Sequence, residues 1–365
     1  MFALGPPRII EKILAKGKTM SSHLESEIRE QPKVLQRLLE EQRTNIEQVA
    51  DAIRERAPRF IVLAARGTSD NAARYGQYLF GTANSLPVAL ATPSLFTLYK
   101  QPPQMHGALV LGISQSGQSP DIVSVLEEGR RQGALTVAIT NAPHSSLADV
   151  AEHTICLLAG PEQSVAATKT YTASLMTLAM LSTALAGDSK RFQALEALPD
   201  LITEVLTLAP DTIKAAERYR YAEACVVVSR GYNYATAYEI ALKIKELTYI
   251  LAEPYSSADF KHGPLALIER GFPVVAVVPQ GEVAEELVEL LRQLKENGAE
   301  LVIISAQHDA LELAQIPLRL PAEVPEWASP LVAVVPGQLL ALGVTLGKGL
   351  DPDHPRGLRK VTLTW

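Results

Sequence analysis

Apolar and polar positions follow two different rhythms along the chain. Residues 24–57 carry Leu24, Ile28, Val34, Leu38, Ile46, Val49 and Ile53 at helical spacing, which predicts one or two helices with a break near Pro32. After them the texture becomes short β-rich runs, at Phe60–Ala65, Ala108–Ser114, Thr136–Thr140 and Thr154–Leu158. Helical stretches near Ser69–Phe80, Pro120–Gln132 and Lys169–Ala186 separate or follow these runs. Strands alternating with helices predict an α/β fold with a parallel sheet covered on both faces.

The pattern then recurs. Strand Ala224–Ser229 precedes Arg230-Gly231 as Ile61–Ala65 precedes Arg66-Gly67, at an offset of 164 residues. At that offset Val274–Val278 and Gly281 fall opposite Val110–Ser114 and Gly117. A helix, Gly298-Ala299 (against Gly133-Ala134) and strand Leu301–Ser305 follow in step. Two copies of one α/β unit are the economical explanation. Residues 187–222 between them read as helical rather than Gly/Ser-rich, so the two lobes are expected to pack together. The division expected is 1–50 as an extension and leading helices, 51–190 and 191–350 as the two units, and 351–365 as a tail.

Composition narrows the function classes. With 365 residues, 47% hydrophobic and 20% charged, the chain has the balance of a globular protein with room for two cores. A net charge of −6 argues against a nucleic-acid partner. Cys156 and Cys225 each lie in an apolar run and read as buried strand residues. No Cys/His spacing suits a metal, and neither a metal nor a cofactor is expected. The first nineteen residues lack a signal-peptide core, and no stretch is expected to cross a membrane, so the chain reads as cytoplasmic. Met20 is a plausible start, leaving residues 1–19 as an extension.

Two segments carry candidate chemistry. Ser114-Gln115-Ser116-Gly117-Gln118-Ser119 ends a strand and opens a helix. Ser119 suits the N-cap, Pro120 the first helical position and Asp121 the first turn. Such a junction binds anions through unpaired N–H groups and the helix dipole. Three serine hydroxyls add donors, and Gly117 lets the backbone approach closely. The loop has no lysine, so a phosphate monoester on a small metabolite fits better than a nucleotide triphosphate. Gly67-Thr68-Ser69 forms a second hydroxyl-bearing junction. The equivalent second-lobe loop, Pro279-Gln280-Gly281-Glu282, has no serine, so one phosphate site is expected.

The second segment is helix Ala235–Ile250, which places Glu239, Lys243 and Glu246 on one face. Spacing alone fits a solvated Glu–Lys ion pair equally well. Ser256, Ser257, Asp259, Lys261 and His262-Gly263-Pro264 follow, and Gly-Pro after the histidine fixes its backbone.

Arg66-Gly67-Thr68-Ser69, Ser114–Ser119, Val165-Ala166-Ala167-Thr168-Lys169, Ala241–Glu246 and Lys261–Ile268, taken in order, resemble the tandem SIS (sugar isomerase) family. The similarity runs from about Glu27 to the tail Pro355–Thr362. It implies two flavodoxin-like three-layer αβα domains. It also implies that Thr68, Ser69, Ser114, Gln115, Ser116, Gly117 and Ser119 hold a sugar phosphate, with a backbone contact at Val165. Glu246 matches the carboxylate that moves a proton between C1 and C2, with Glu239 and Lys243 as polar neighbours. His262 matches a ring-opening histidine given by a neighbouring subunit, which implies a homodimer. Lys360 matches a tail lysine that meets the sugar carbonyl. Proton transfer of this kind needs a carboxylate whose pKa burial raises toward neutrality, and a cation or imidazole to polarise the carbonyl.

Within the family, the isomerase half of the glucosamine-6-phosphate synthases usually has Glu and Thr where Gln118 and Ser119 stand. Neither Met1-Phe2 nor Met20-Ser21 supplies the terminal cysteine nucleophile of the synthases' glutaminase domain. Arg66–Asp70 and Ser116–Ile122 are similar to the SIS-type glucosamine-6-phosphate deaminases. The expected reaction is glucosamine 6-phosphate plus water giving fructose 6-phosphate and ammonia. A galactosamine-6-phosphate deaminase, a fructosamine-6-phosphate deglycase, an ammonia-dependent synthase-like activity and a non-catalytic sugar-phosphate sensor are the alternatives.

Overall fold

The computed structural model describes residues 21–360. The reading of residues 1–19 as an extension, the start at Met20 and the tail beyond Lys360 lie outside them. In chain order the strands are β1 (Phe60–Ala64), β2 (Val88–Leu90), β3 (Ala108–Ser114), β4 (Leu135–Thr140), β5 (His153–Cys156), β6 (Ala224–Ser229), β7 (Leu251–Ser256), β8 (Pro273–Val278), β9 (Glu300–Ser305) and β10 (Ile316–Arg319). The longer helices are α1 (His23–Arg56), α2 (Gly67–Asn84), α3 (Pro120–Arg131), α4 (Lys169–Ala186), α5 (Ser189–Thr207), α6 (Ala209–Ala216), α7 (Tyr234–Thr248), α8 (Ala284–Glu296) and α9 (Ser329–Gly347).

The strands form two five-stranded sheets in the orders β2-β1-β3-β4-β5 and β7-β6-β8-β9-β10, parallel throughout. Strand for strand the second order copies the first, as the 164-residue offset predicted. In each sheet the order reverses beside the first strand of the unit. A parallel sheet opens a crevice at such a reversal, at the carboxyl ends of its strands.

Both faces of each sheet are covered. Ile61, Leu63, Leu109 and Leu111 of the first sheet share one buried cluster with Val227, Val275 and Ile304 of the second, through α1, α2, α4 and α9. Val62, Ala64 and Val110 face the other way, under α3, and Val226, Val228 and Ala276 lie under α8. The two lobes therefore share a core rather than hang from a linker.

Three local expectations change. The first helix runs unbroken through Pro32. Pro32 has no N–H to give the carbonyl of Ile28, and the side-chain amide of Gln31 donates to that oxygen instead, at 2.9 Å. Second, Glu326–Gly347 is long and apolar enough to cross a bilayer, with a mean hydropathy of 1.7. Its most apolar stretch is 89% buried between α1, α6 and α7, so it is the central helix of the shared core. Third, Cys225 is buried as expected, whereas Cys156 closes β5 half-buried.

Candidate functional site

The crevice at the carboxyl ends of β1 and β3 is a cavity of about 320 Å³. One wall is the Ser114–Ser119 loop. Gly117 takes a left-handed conformation (φ +63°), and a Cβ there would meet Ser145 Oγ at 2.0 Å. The Ser114 hydroxyl accepts the Gly117 N–H at 3.1 Å, and the Gly117 carbonyl accepts the Leu147 N–H at 3.0 Å. Ser119 precedes α3, and its carbonyl accepts from Ile122 and Val123 while its hydroxyl makes no capping bond. That hydroxyl has no hydrogen-bond partner among the described residues and borders the cavity. Thr68 and Ser69 reach the cavity from the first turn of α2.

The opposite wall comes from α7 in the other lobe. Lys243 Nζ contacts Glu246 Oε2 at 2.6 Å, Thr68 Oγ1 at 3.2 Å and Glu239 Oε1 at 3.4 Å. Glu239 also accepts from the Asn71 amide at 2.7 Å and from the Thr68 hydroxyl at 3.2 Å. The side chains of Lys243 and Glu239 are 1% and 0% exposed, against 24% for Glu246. The solvated ion pair that spacing allowed is therefore a buried cluster joining the lobes.

The electrostatics of the cluster centre on Glu239 and Lys243. Burial pushes the Glu239 carboxyl up to about 7, against the pull of Lys243 and Asn71. Burial would lower Lys243, but Glu239 and Glu246 outweigh it and hold the ammonium above the ordinary lysine range. The carboxyl raised toward neutrality is thus Glu239, and the partly exposed acid on the cavity wall is Glu246.

A third wall is residues 161–168, which α1 holds in place. Glu27 accepts the backbone N–H groups of Gln163 and Ser164, and Lys169 Nζ meets Glu30 at 2.6 Å. Buried Glu162 accepts from Thr168 N at 2.9 Å, Thr170 Oγ1 at 2.7 Å and Lys360 Nζ at 2.7 Å. Burial alone would raise this carboxyl, but Lys360 and these hydrogen bonds bring it below the usual carboxylate range. Glu162 thereby fixes the tail lysine at the cavity.

Of the sequence-predicted residues, Thr68, Ser69, Ser114, Gln115, Ser116, Ser119, Val165, Lys243, Glu246 and Lys360 line this one cavity. Gly117 and Glu239 sit behind the wall, as turn and as buried partner. His262 does not line it; it is exposed after the short helix Ser257–Lys261. Among the described residues no histidine reaches the cavity, and no group of three His, Cys, Asp or Glu side chains is arranged for a metal. Sequence reasoning missed Glu162 and Asn71 as anchors. Of the four cations that border the cavity, Arg66, Lys243, Arg359 and Lys360, it gave roles to the two lysines and none to the two arginines. The signal for Arg66 was its place in the Arg66-Gly67-Thr68-Ser69 run.

At the strand reversal of the second lobe a side chain of the protein itself stands in the crevice. There the Glu326 carboxylate accepts the Glu282 N–H at 2.8 Å. It lies where a Cβ on Gly281 would stand, and within 3.6 Å of one on Gly231. The chain fills this crevice with its own anion.

Comparison with known proteins agrees with this geometry. The SIS domain profile matches residues 56–184 and again 219–346. Glutamine–fructose-6-phosphate aminotransferase (isomerizing) of Thermus thermophilus is 36% identical over 350 residues, covering 92% of this chain and 57% of that protein. The chain thus spans little more than half the length of such relatives. The C-terminal domain of glucosamine-fructose-6-phosphate aminotransferase from Francisella tularensis superposes with a TM-score of 0.82 at 28% identity, over 93% of this chain and all of that one. Glucosamine-6-phosphate deaminase from Thermotoga maritima gives 0.73 at 21% identity, over 94% of this chain and 100% of that one, a likeness of fold alone. A doubly matched profile, a sheet order used twice and one hydroxyl-lined crevice lead to one assignment: the chain belongs to the SIS domain family, with two SIS domains in tandem.

Proposed function

We propose that the chain is a sugar-phosphate enzyme of the aldose–ketose type that turns glucosamine 6-phosphate and water into fructose 6-phosphate and ammonia. One observation carries the reading: the hydroxyl-rich loop and the Lys243–Glu246 pair stand on opposite walls of one cavity. The phosphate docks on Thr68, Ser69 and Ser114–Ser119. In the open-chain sugar Glu246 takes the C2 proton and returns it to C1, while Lys243 and Lys360 stabilise the oxygen at C1. With a second proton passing from the C2 amine to O1, the product is the C2 imine of fructose 6-phosphate. Water adds at C2 and ammonia leaves.

The exposed position of His262 supports its service to the cavity of a second subunit, where it opens the sugar ring. A mixture of Glu246→Gln and His262→Ala subunits then regains activity on re-equilibration, while either variant alone stays inactive. A mixture that never recovers removes the shared site.

A sensor needs the hydroxyl loops but not a buried Lys243 and Glu239, whose desolvation costs several kcal/mol per ion. That cost favours catalysis. The 36% identity to an aminotransferase favours a second reading, synthesis in the opposite direction. Three incubations separate them. Glucosamine 6-phosphate alone yields fructose 6-phosphate and ammonia under the first reading. Fructose 6-phosphate with ammonium, or with glutamine, yields glucosamine 6-phosphate under the second. Binding of fructose 6-phosphate without turnover in any of the three supports the sensor and overturns both.

A further inference from the structure

We infer that Arg66 is the residue that recognises the charge of the phosphate, with Asp121 as the positioning residue that aims it; this rests on the reading of the cavity as a phosphosugar site. Hydroxyls and backbone N–H groups bind oxygen but bring no full charge, so a hydroxyl cradle alone selects weakly for a dianion. Of the other cations on the walls, Arg359 belongs to the exposed tail beside Lys360, away from the hydroxyl loops, and the two lysines face carboxylates. Lys243 faces Glu246 and Glu239, and Lys360 faces Glu162.

Arg66 is placed differently. It is the last residue before α2 and borders the same cavity as Ser114–Ser119. Only its Nε is used, donating to Asp121 Oδ2 at 2.7 Å. Among the described residues neither terminal nitrogen of the guanidinium has a hydrogen-bond acceptor, and the side chain is half exposed. A planar fork with both terminal N–H₂ groups free matches two phosphate oxygens. Asp121 is fully buried in the first turn of α3, where its other oxygen accepts the Ile122 N–H at 3.0 Å. The pair also ties the β1–α2 loop to the β3–α3 loop, the two halves of the cradle.

The second lobe has a looser counterpart. Arg230, at the 164-residue offset from Arg66, meets Glu286 Oε2 through Nη1 at 3.3 Å, one position beyond the residue opposite Asp121. There too an arginine stands at a crevice that holds an anion, supplied from within as Glu326. In the first lobe the corresponding loop, Ser114–Ser119, bonds to its own serine hydroxyls rather than to a carboxylate.

Calorimetry with fructose 6-phosphate, inorganic phosphate and unphosphorylated fructose tests this on Arg66→Gln, Arg66→Lys and Asp121→Asn. Arg66→Gln is expected to weaken both phosphate probes at least tenfold, to leave the weak fructose binding unchanged, and to raise KM with kcat within about threefold. Arg66→Lys keeps the charge without the fork and falls between, and Asp121→Asn loses about threefold. A clamp without ligand contact predicts instead a lowered unfolding temperature with phosphate affinity retained, and that result overturns the inference. Wild-type protein that binds neither phosphate probe overturns the proposed function with it, whereas wild-type binding matched by Arg66→Gln overturns this inference alone.

Discussion

The Glu326 carboxylate caps the backbone N–H of Glu282 at 2.8 Å, and through that contact the second lobe closes the crevice that the first leaves open. The two lobes thus differ less in architecture than in who supplies the anion. Glu326→Ala deprives the Glu282 N–H of its acceptor and is expected to cost about 1–2 kcal/mol. Inorganic phosphate should then raise the unfolding temperature of the variant more than that of the wild type, since the vacated crevice accepts an oxyanion. Equal responses in a thermal-shift titration would show that Glu326 merely packs.

Gly117 tests the proposed phosphate loop from its hidden side. Alanine there meets a backbone conformation that L-residues avoid and a Cβ 2.0 Å from Ser145 Oγ. The loop must move, at a cost of about 1–3 kcal/mol in stability. Affinity for fructose 6-phosphate should fall at least tenfold while the fold, read by far-UV circular dichroism, persists. Unchanged affinity would place the phosphate elsewhere.

How much of this was legible follows from how local each signal is. The repeat and the parallel sheets could be read because β1, β3, β6 and β8 are buried on both faces and so stay apolar without alternation. The hydroxyl loops could be read because strand end, cap and glycine are contiguous. Pro32 misled because its missing hydrogen bond is restored by a side chain, which no rule for backbone propensity sees. Glu239–Lys243–Glu246 could not be resolved because the same spacing serves a wet face and a buried one; Thr68 and Asn71, over 160 residues away in sequence, decide it. Glu162 stayed hidden for the same reason, with its partner lysine 198 residues on.

The Gln31 amide gives a stability test of the unbroken first helix. Its Nε2 donates both to the Ile28 carbonyl at 2.9 Å and to Gln338 Oε1 at 2.8 Å, which joins α1 to α9 inside the core. Gln31→Leu strands two buried acceptors and is expected to cost about 2–4 kcal/mol in urea unfolding. Adding Pro32→Ala returns a backbone N–H to Ile28 and should recover part of the loss. A double variant no more stable than the single one would mean that Gln31 does not substitute for the proline's missing donor.

Lys360 depends on Glu162 for its place. Glu162→Gln leaves the ammonium beside a neutral amide and removes the charge partner of a buried group. We expect kcat to fall by an order of magnitude or more, as for a misplaced catalytic group, with a smaller change in the affinity for inorganic phosphate, which the proposed reading places at the other wall. Loss of phosphate binding with kcat intact would contradict the division of the cavity into two ends.

Glu239 and Glu162 pull the pH dependence of stability in opposite directions. Glu162 is held below the ordinary value of 4.5, so the folded state gives up its proton more readily than the unfolded chain. Its stabilisation is complete above that value and is lost as pH falls toward the folded pKa. Glu239 is raised from 4.5 to about 7, so between those values the folded state binds the extra proton. Stability then declines as pH rises through that window and levels off above it. Taken alone, these two groups favour a maximum at mildly acid pH. Glu239→Gln removes the decline between about 5 and 7 and leaves the acid limb, which a series of urea melts at stepped pH can resolve. If the variant keeps the same slope through that window, Glu239 is already ionised beside Lys243 in the folded protein, and the proton assigned to the cluster belongs to another group.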